Sequence, residues 1–211
     1  MKQVFRLMVV IVIFIVLVAC STNSDVTKKD NESNFGISKL ISELEAKGYY
    51  KYIDKSQVDN VKKESIEAGY IYGWEDSGRD FSTDAESLAE GGVSYFLESI
   101  SEFLQKQNVK VIVSDEMYSD KGYSVKVNGK FYEIYNEKEI ESENIWELST
   151  NRCFSIVNNL LENSGSSERI YILYGGNDLR AIFLTDEMYK LIIDDNNVSE
   201  SELPQIAPDV F

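Results

Sequence analysis

The chain has 211 residues, with 36 acidic side chains against 21 basic ones, no histidine and two cysteines. That length suits one domain with flexible ends, and the lack of histidine excludes Ser-His-Asp triads, Cys-His pairs and H-E-x-x-H zinc sites. A formal charge of −15 repels nucleic-acid phosphates and anionic headgroups, so any partner steered by charge is basic; the same acidity also serves simple solubility.

At the amino end, Lys2 and Arg6 precede a run without polar side chains from Leu7 to Val18. As a helix, Leu7 to Ala19 spans about 20 Å, short of the roughly 30 Å hydrocarbon core. This is the layout of a secretory signal peptide over residues 1–19, rather than of a spanning helix. Its last residues, Leu17-Val18-Ala19-Cys20, resemble the lipobox of bacterial lipoproteins. The resemblance covers the leader alone. It implies cleavage before Cys20, a diacylglycerol on the Cys20 thiol, acylation of the new amino terminus, and a protein held at the membrane on its extracytoplasmic side. Two acyl chains suffice for stable anchoring. Without the leader's two basic residues the chain carries 19 basic against 36 acidic side chains, a charge of −17. Cys153 is then left without a partner for an intrachain disulfide. It falls in an apolar stripe and is expected to be buried and structural, because no histidine is present to activate it.

Residues 20–34 contain Val26 as their single branched apolar residue among Ser, Thr, Asn, Asp, Glu and Lys, and read as a lipidated tether with a reach of roughly 20 Å. The domain proper is expected over 35–195. Ile37, Leu40, Ile41 and Leu44 recur at helical spacing up to Lys47, with Gly48 as a stop. A weaker helix is expected from Gln57 to Ala68. Tyr70, Tyr72 and Trp74 then alternate, as on one side of a strand. Trp74, Glu75, Asp76, Arg79 and Asp80 crowd the following loop. Glu75, Asp76 and Asp80 could act as acid and base in glycoside hydrolysis, although acidic clusters arise readily in so acidic a chain. Thr83 and Glu86 are spaced as a capping box, and apolar residues from Ala85 to Leu104 predict one long helix, with Gly91 and Gly92 marking close approach by another element.

Val109 to Val113 reads as a central strand. Tyr123 to Tyr135 reads as a hairpin across Asn128-Gly129, pairing Val127 with Lys130, Val125 with Tyr132 and Tyr123 with Ile134, with Ser124, Lys126 and Glu133 on the outer face. A helix is expected from Ile145 to about Asn163, burying Trp146, Cys153, Val157 and Leu160 or Leu161, with Gly165 at its C-terminal cap. Arg169–Tyr174 and Leu179–Leu184 form a second hairpin, apolar on both faces and hence central in a sheet.

Ser114-Asp-Glu-Met-Tyr118 and Thr185-Asp-Glu-Met-Tyr189 nearly coincide. Both read as helix N-caps, which makes Asp115, Glu116, Asp186 and Glu187 candidates, with Trp74, for contacts to a basic partner. Asp194-Asp195-Asn196-Asn197 lacks EF-hand spacing, and no Walker loop, dinucleotide fingerprint or Cys-x-x-Cys pair occurs, so neither metal nor cofactor is expected. Residues 196–211 read as a flexible tail. The fold expected is a single α+β domain: a mostly antiparallel sheet of about five strands, built from two hairpins plus extra strands and packed mainly on one face by two long amphipathic helices. The function expected is a non-catalytic binding or interaction protein of the cell envelope that recognises a basic protein partner. The alternative is a carboxylate-dependent hydrolase of cell-wall glycan, and a purely structural component is the third possibility.

Overall fold

The structure, a computed structural model, describes residues 36–72, 77–141, 144–174, 176 and 179–211. The leader and tether, Cys20 included, lie outside them, as do Trp74, Glu75 and Asp76. The described chain is α+β, as expected. It runs α1 (36–46), α2 (Val58–Ala68), β1 (Asp80–Ser82), α3 (Ala85–Ala89), α4 (Val93–Ser99), α5 (Ser101–Lys106), β2 (Val113–Ser119), β3 (Gly122–Val127) and β4 (Lys130–Asn136). It continues with α6 (Ile145–Asn163), β5 (Glu168–Leu173), β6 (Arg180–Thr185), α7 (Asp186–Ile193), a 3-10 turn (Glu200–Glu202) and β7 (Gln205–Ile206). Among the described residues no helix is long and apolar enough to cross a membrane.

The strands divide between two antiparallel sheets, β1-β6-β5-β7 and β2-β3-β4. In the four-stranded sheet the β5–β6 hairpin takes the central places that its doubly apolar pattern predicts. Alternation sends Ile170, Ala181 and Phe183 to one buried cluster and Tyr171, Leu173, Ile182 and Leu184 to another. The first cluster is closed by α3 to α6 and the three-stranded sheet, the second by α1, α2 and α7. Helices therefore cover both faces of this sheet, not mainly one, because both faces of its central strands are apolar.

The β3–β4 hairpin pairs Val127 with Lys130 and Val125 with Tyr132, but a bulge after Tyr123 moves that residue from Ile134 to Tyr135. Val125, Val127, Tyr132 and Ile134 are buried as expected. Helix α6 has the predicted bounds, and Gly165 ends it at φ +75°. There its N–H donates to Glu162 O, while that of Ser166 donates to Leu161 O, a Schellman closure.

Several expectations are corrected. The helix predicted from Thr83 to Leu104 is three short ones, because Gly91 turns to φ +95° and the chain bends again at Ile100. Its cap is Asp84, whose carboxylate accepts from Ser87 N, while Thr83 N donates to Leu179 O. The crowding at Gly92 comes from the preceding turn rather than from another element: a Cβ there would lie 2.5 Å from Ser87 O, which accepts from Gly92 N. Residues 109–112 form no strand, and β2 lies at a sheet edge rather than in the centre. Residues 69–72 form bends instead of an alternating strand, because Gly69 at φ +75° caps α2 and both Ile71 and Tyr72 are buried. Residues 196–211, expected to be loose, are seated: Ile206 and Gln205 pair with β5, Ala207 is buried, and the Phe211 ring packs edge-on against Tyr132.

Candidate functional site

The longest described helix and the last residues of the chain together build a concave surface. β7 adds two residues to the open edge of β5. Beyond it, the Asn158 side chain takes the place of a strand, donating to Ile170 O at 3.3 Å and accepting from Ile170 N at 2.8 Å. The chain then crosses α6, where Val210 N donates to Ser155 Oγ at 3.2 Å. Ile206 and Pro208 of this C-terminal strap border two depressions, one of about 670 Å³ and one of about 270 Å³. The larger is within the size range of small-molecule sites.

The larger chamber lies at the start of α6. Ile145, Trp146, Glu147, Thr150 and Asn151 form one side, Ile172 and Leu179 of the sheet add an apolar surface, and Gln205 and Pro208 close the rim. Trp146 was expected in the core but is 39% exposed, because the chamber removes the element that would cover it. Thr150 is 4% exposed and its Oγ1 has no hydrogen-bond partner. Burying an unsatisfied hydroxyl costs about 1–3 kcal/mol, a cost that α6 carries beneath this wall, on an atom closed to solvent. Among the described residues, no lysine or arginine lines the chamber.

The smaller chamber holds Glu162, Asp186 and Asp209, none of which forms an ion pair among the described residues, beside Arg169. The Arg169 guanidinium is turned inward to the carbonyls of Ser166 and Glu168, both at 2.8 Å. The three carboxylates thus share the chamber with one committed cation, and Asp209 also accepts from Ser155 Oγ and Phe211 N, both at 3.4 Å.

The other sequence candidates have structural partners. Asp80 pairs with Arg180 and accepts from Ser77 Oγ at 2.9 Å, which occupies the carboxylate that acid-base chemistry would need. The two matching pentapeptides part company. Thr185 caps α7, its hydroxyl accepting from Met188 N at 3.4 Å, whereas Ser114–Tyr118 lies in β2. Asp115 sits at a bulge with φ +49° and pairs with Lys126 at 3.4 Å. Glu116 accepts from Tyr123 Oη and, at 3.1 Å, from Ser94 N. Glu187 pairs with Lys47 at 3.0 Å. Of the five binding candidates, Asp186 lines the smaller chamber, Glu187 lines a separate depression of about 400 Å³ beside Lys39, Lys47 and Lys190, and Trp74 is outside the described residues. Cys153 is fully buried, and burial pushes its thiol well up, in keeping with a structural role.

The largest polar feature went unread in the sequence. Arg79, placed by its neighbours in a solvated loop, is fully buried. Its Nε donates to Tyr49 O at 2.5 Å, Nη1 to Glu168 Oε2 at 2.8 Å and Phe183 O at 2.9 Å, and Nη2 to Gly48 O at 3.1 Å. Glu168, also fully buried, takes Lys51 at 2.9 Å and the Tyr52 hydroxyl at 3.0 Å on its other oxygen. Burial pushes the Glu168 carboxyl up, yet bonds and charge from Arg79 and Lys51 outweigh burial and hold it below the usual range. Both Glu168 oxygens and four of the five Arg79 N–H groups have partners, and a buried pair is tolerated when it is bonded in this way. The network joins the ends of α1, β1 and β5, and serves as an internal clamp.

Among the described residues no group of three or more Cys, Asp or Glu is arranged to hold a metal. No protein-family model, curated protein or solved structure matches the chain.

Proposed function

We propose that this chain is a lipoprotein of the bacterial envelope, held on the extracytoplasmic side of the membrane through lipid on Cys20, and that its domain binds a basic protein partner without turning over a substrate. The leader ending in Leu17-Val18-Ala19-Cys20 supports the anchor. The observation that carries the binding reading is the smaller chamber: Glu162, Asp186 and Asp209 converge unpaired at the chamber, and the neighbouring Arg169 is engaged by backbone carbonyls. Unpaired carboxylates in a concave wall attract a cationic segment and steer its approach. A glycan hydrolase built on Glu75, Asp76 and Asp80 gains no such support, since Asp80 is tied to Arg180.

Two measurements test the parts separately. Mass spectrometry of the membrane-extracted chain should find Cys20 as the first residue, carrying acyl mass that Cys20→Ser lacks; a chain that keeps residues 1–19 or carries no acyl mass refutes lipidation. Reversing Glu162 and Asp186 to lysine should abolish salt-sensitive retention of a basic envelope protein on the immobilised chain. Retention unchanged by the reversal refutes the chamber as the interface.

A further inference from the structure

We propose that the larger chamber is a binding site for a neutral sugar, a hexose or N-acetylhexosamine unit whose ring lies against Trp146. The site is separate from the acidic chamber and stands whether or not a basic partner binds there.

Charge narrows the ligand first. Among the described residues no lysine or arginine lines the chamber, and the chain carries −15 overall, so phosphate, sulfate and carboxylate ligands find no counter-charge there and are repelled at long range. Cations are disfavoured from another direction. The chamber lies at the N-terminal end of the 19-residue α6, the positive pole of the helix dipole, and Glu147 in the first turn balances that pole rather than exceeding it. A ligand without net charge fits best.

Shape and polarity then select the class. Trp146 offers an exposed indole face beside apolar Ile172 and Leu179, and the electron-rich face of an aromatic ring attracts the slightly positive C–H groups of a pyranose. The polar groups around this surface are those that serve hydroxyls and acetamides: the amides of Asn151 and Gln205 donate and accept, and Glu147 accepts. A purely apolar ligand would leave these amides and the carboxylate without partners.

The test is titration of the full chain, in a zwitterionic detergent that contains no sugar, with N-acetylglucosamine, its β-1,4-linked disaccharide and maltose. Tetralysine and inorganic phosphate serve as charged controls, and binding is followed by calorimetry and tryptophan fluorescence. At least one sugar should bind saturably. Trp146→Ala should weaken it at least about tenfold, and Asn151→Ala about fivefold. Tyr95→Ala, at a 75% exposed position outside the chamber, should leave binding unchanged, and Trp74→Phe should keep the fluorescence response. Circular dichroism checks that each variant is folded. The proposal is overturned if none of the three sugars saturates the folded chain, if Trp146→Ala binds as the parent does, or if tetralysine or phosphate displaces the sugar. Glu162→Lys with Asp186→Lys should retain sugar binding, so loss of the basic-partner reading leaves this one standing.

Discussion

Replacing Glu168 by glutamine removes the anion from the buried clamp while keeping its volume. Arg79 would then remain fully buried as a cation, held by the carbonyls of Tyr49, Phe183 and Gly48 but with no charge to balance it. Breaking a buried ion pair from one side costs about 3–5 kcal/mol. For a domain of this size each kcal/mol moves the midpoint by about 2–4 °C, so thermal unfolding followed by far-UV circular dichroism should fall by about 6–20 °C. Arg79→Met should cost a comparable amount by leaving the Tyr49 and Phe183 carbonyls without the guanidinium and Glu168 without its buried cation, and the double variant should lose less than the sum of the two. The parent has an acid signature as well. Its folded Glu168 carboxyl lies below the usual range, so the folded state binds this proton less readily than the unfolded chain does. The contribution is complete above the unfolded value of about 4.3 and is lost as pH falls through the depressed folded value, and Glu168→Gln should lack that share of the dependence. A midpoint within about 2 °C of the parent for both single variants, with the same acid profile, would refute the clamp.

Gly92→Ala places a methyl 2.5 Å from Ser87 O, and should destabilise by about 1–3 kcal/mol in denaturant titration. In a Cys20→Ser background the fully buried, protonated Cys153 should resist a thiol reagent until denaturant unfolds the chain; rapid labelling in buffer would contradict its burial. Removing residues 205–211 strips β7 and the Phe211 contact to Tyr132 and should speed hydrogen exchange along β5, measured peptide by peptide, while leaving the β3–β4 hairpin protected. Asp115→Lys, at a residue that pairs with Lys126 on β2 and lies outside the acidic chamber, should spare basic-partner retention that Asp186→Lys reduces.

What the sequence discloses depends on how local the cause is. The bounds of α6, the Asn128-Gly129 turn and the central place of β5 and β6 follow from periodicity and turn chemistry within a short window, and they appear as read. The twin pentapeptides show the limit. Thr185 is the last residue of β6 with a partner on β5, namely Glu168, so the chain beyond it is free to start α7. Ser114 has Lys126 opposite it and the rest of β3 alongside, so the same residues continue as a strand with a bulge. A distant strand decides between them, and no local pattern encodes it. Trp146 looked like core because helical spacing marks a face without saying what covers it. Arg79 and Glu168 are separated by 89 positions, and neither sits in a local pattern that predicts burial. Their meeting is a property of the tertiary fold alone.

The four-stranded sheet also carries a timetable. β5 and β6 are neighbours along the chain, but β1 reaches β6 by pairing Asp80 with Ile182, and β7 comes from the final residues. The hairpin can form early, whereas the flanking strands wait on long loop closure, which slows folding of sheets with distant partners. Arg79 arrives with β1, so two charges that are stable in the interior only together leave water at the step that joins residue 79 to residue 168. Chains in which that step has not occurred expose the edge of β6, and their lifetime sets how long the molecule is open to pairing with another copy of itself.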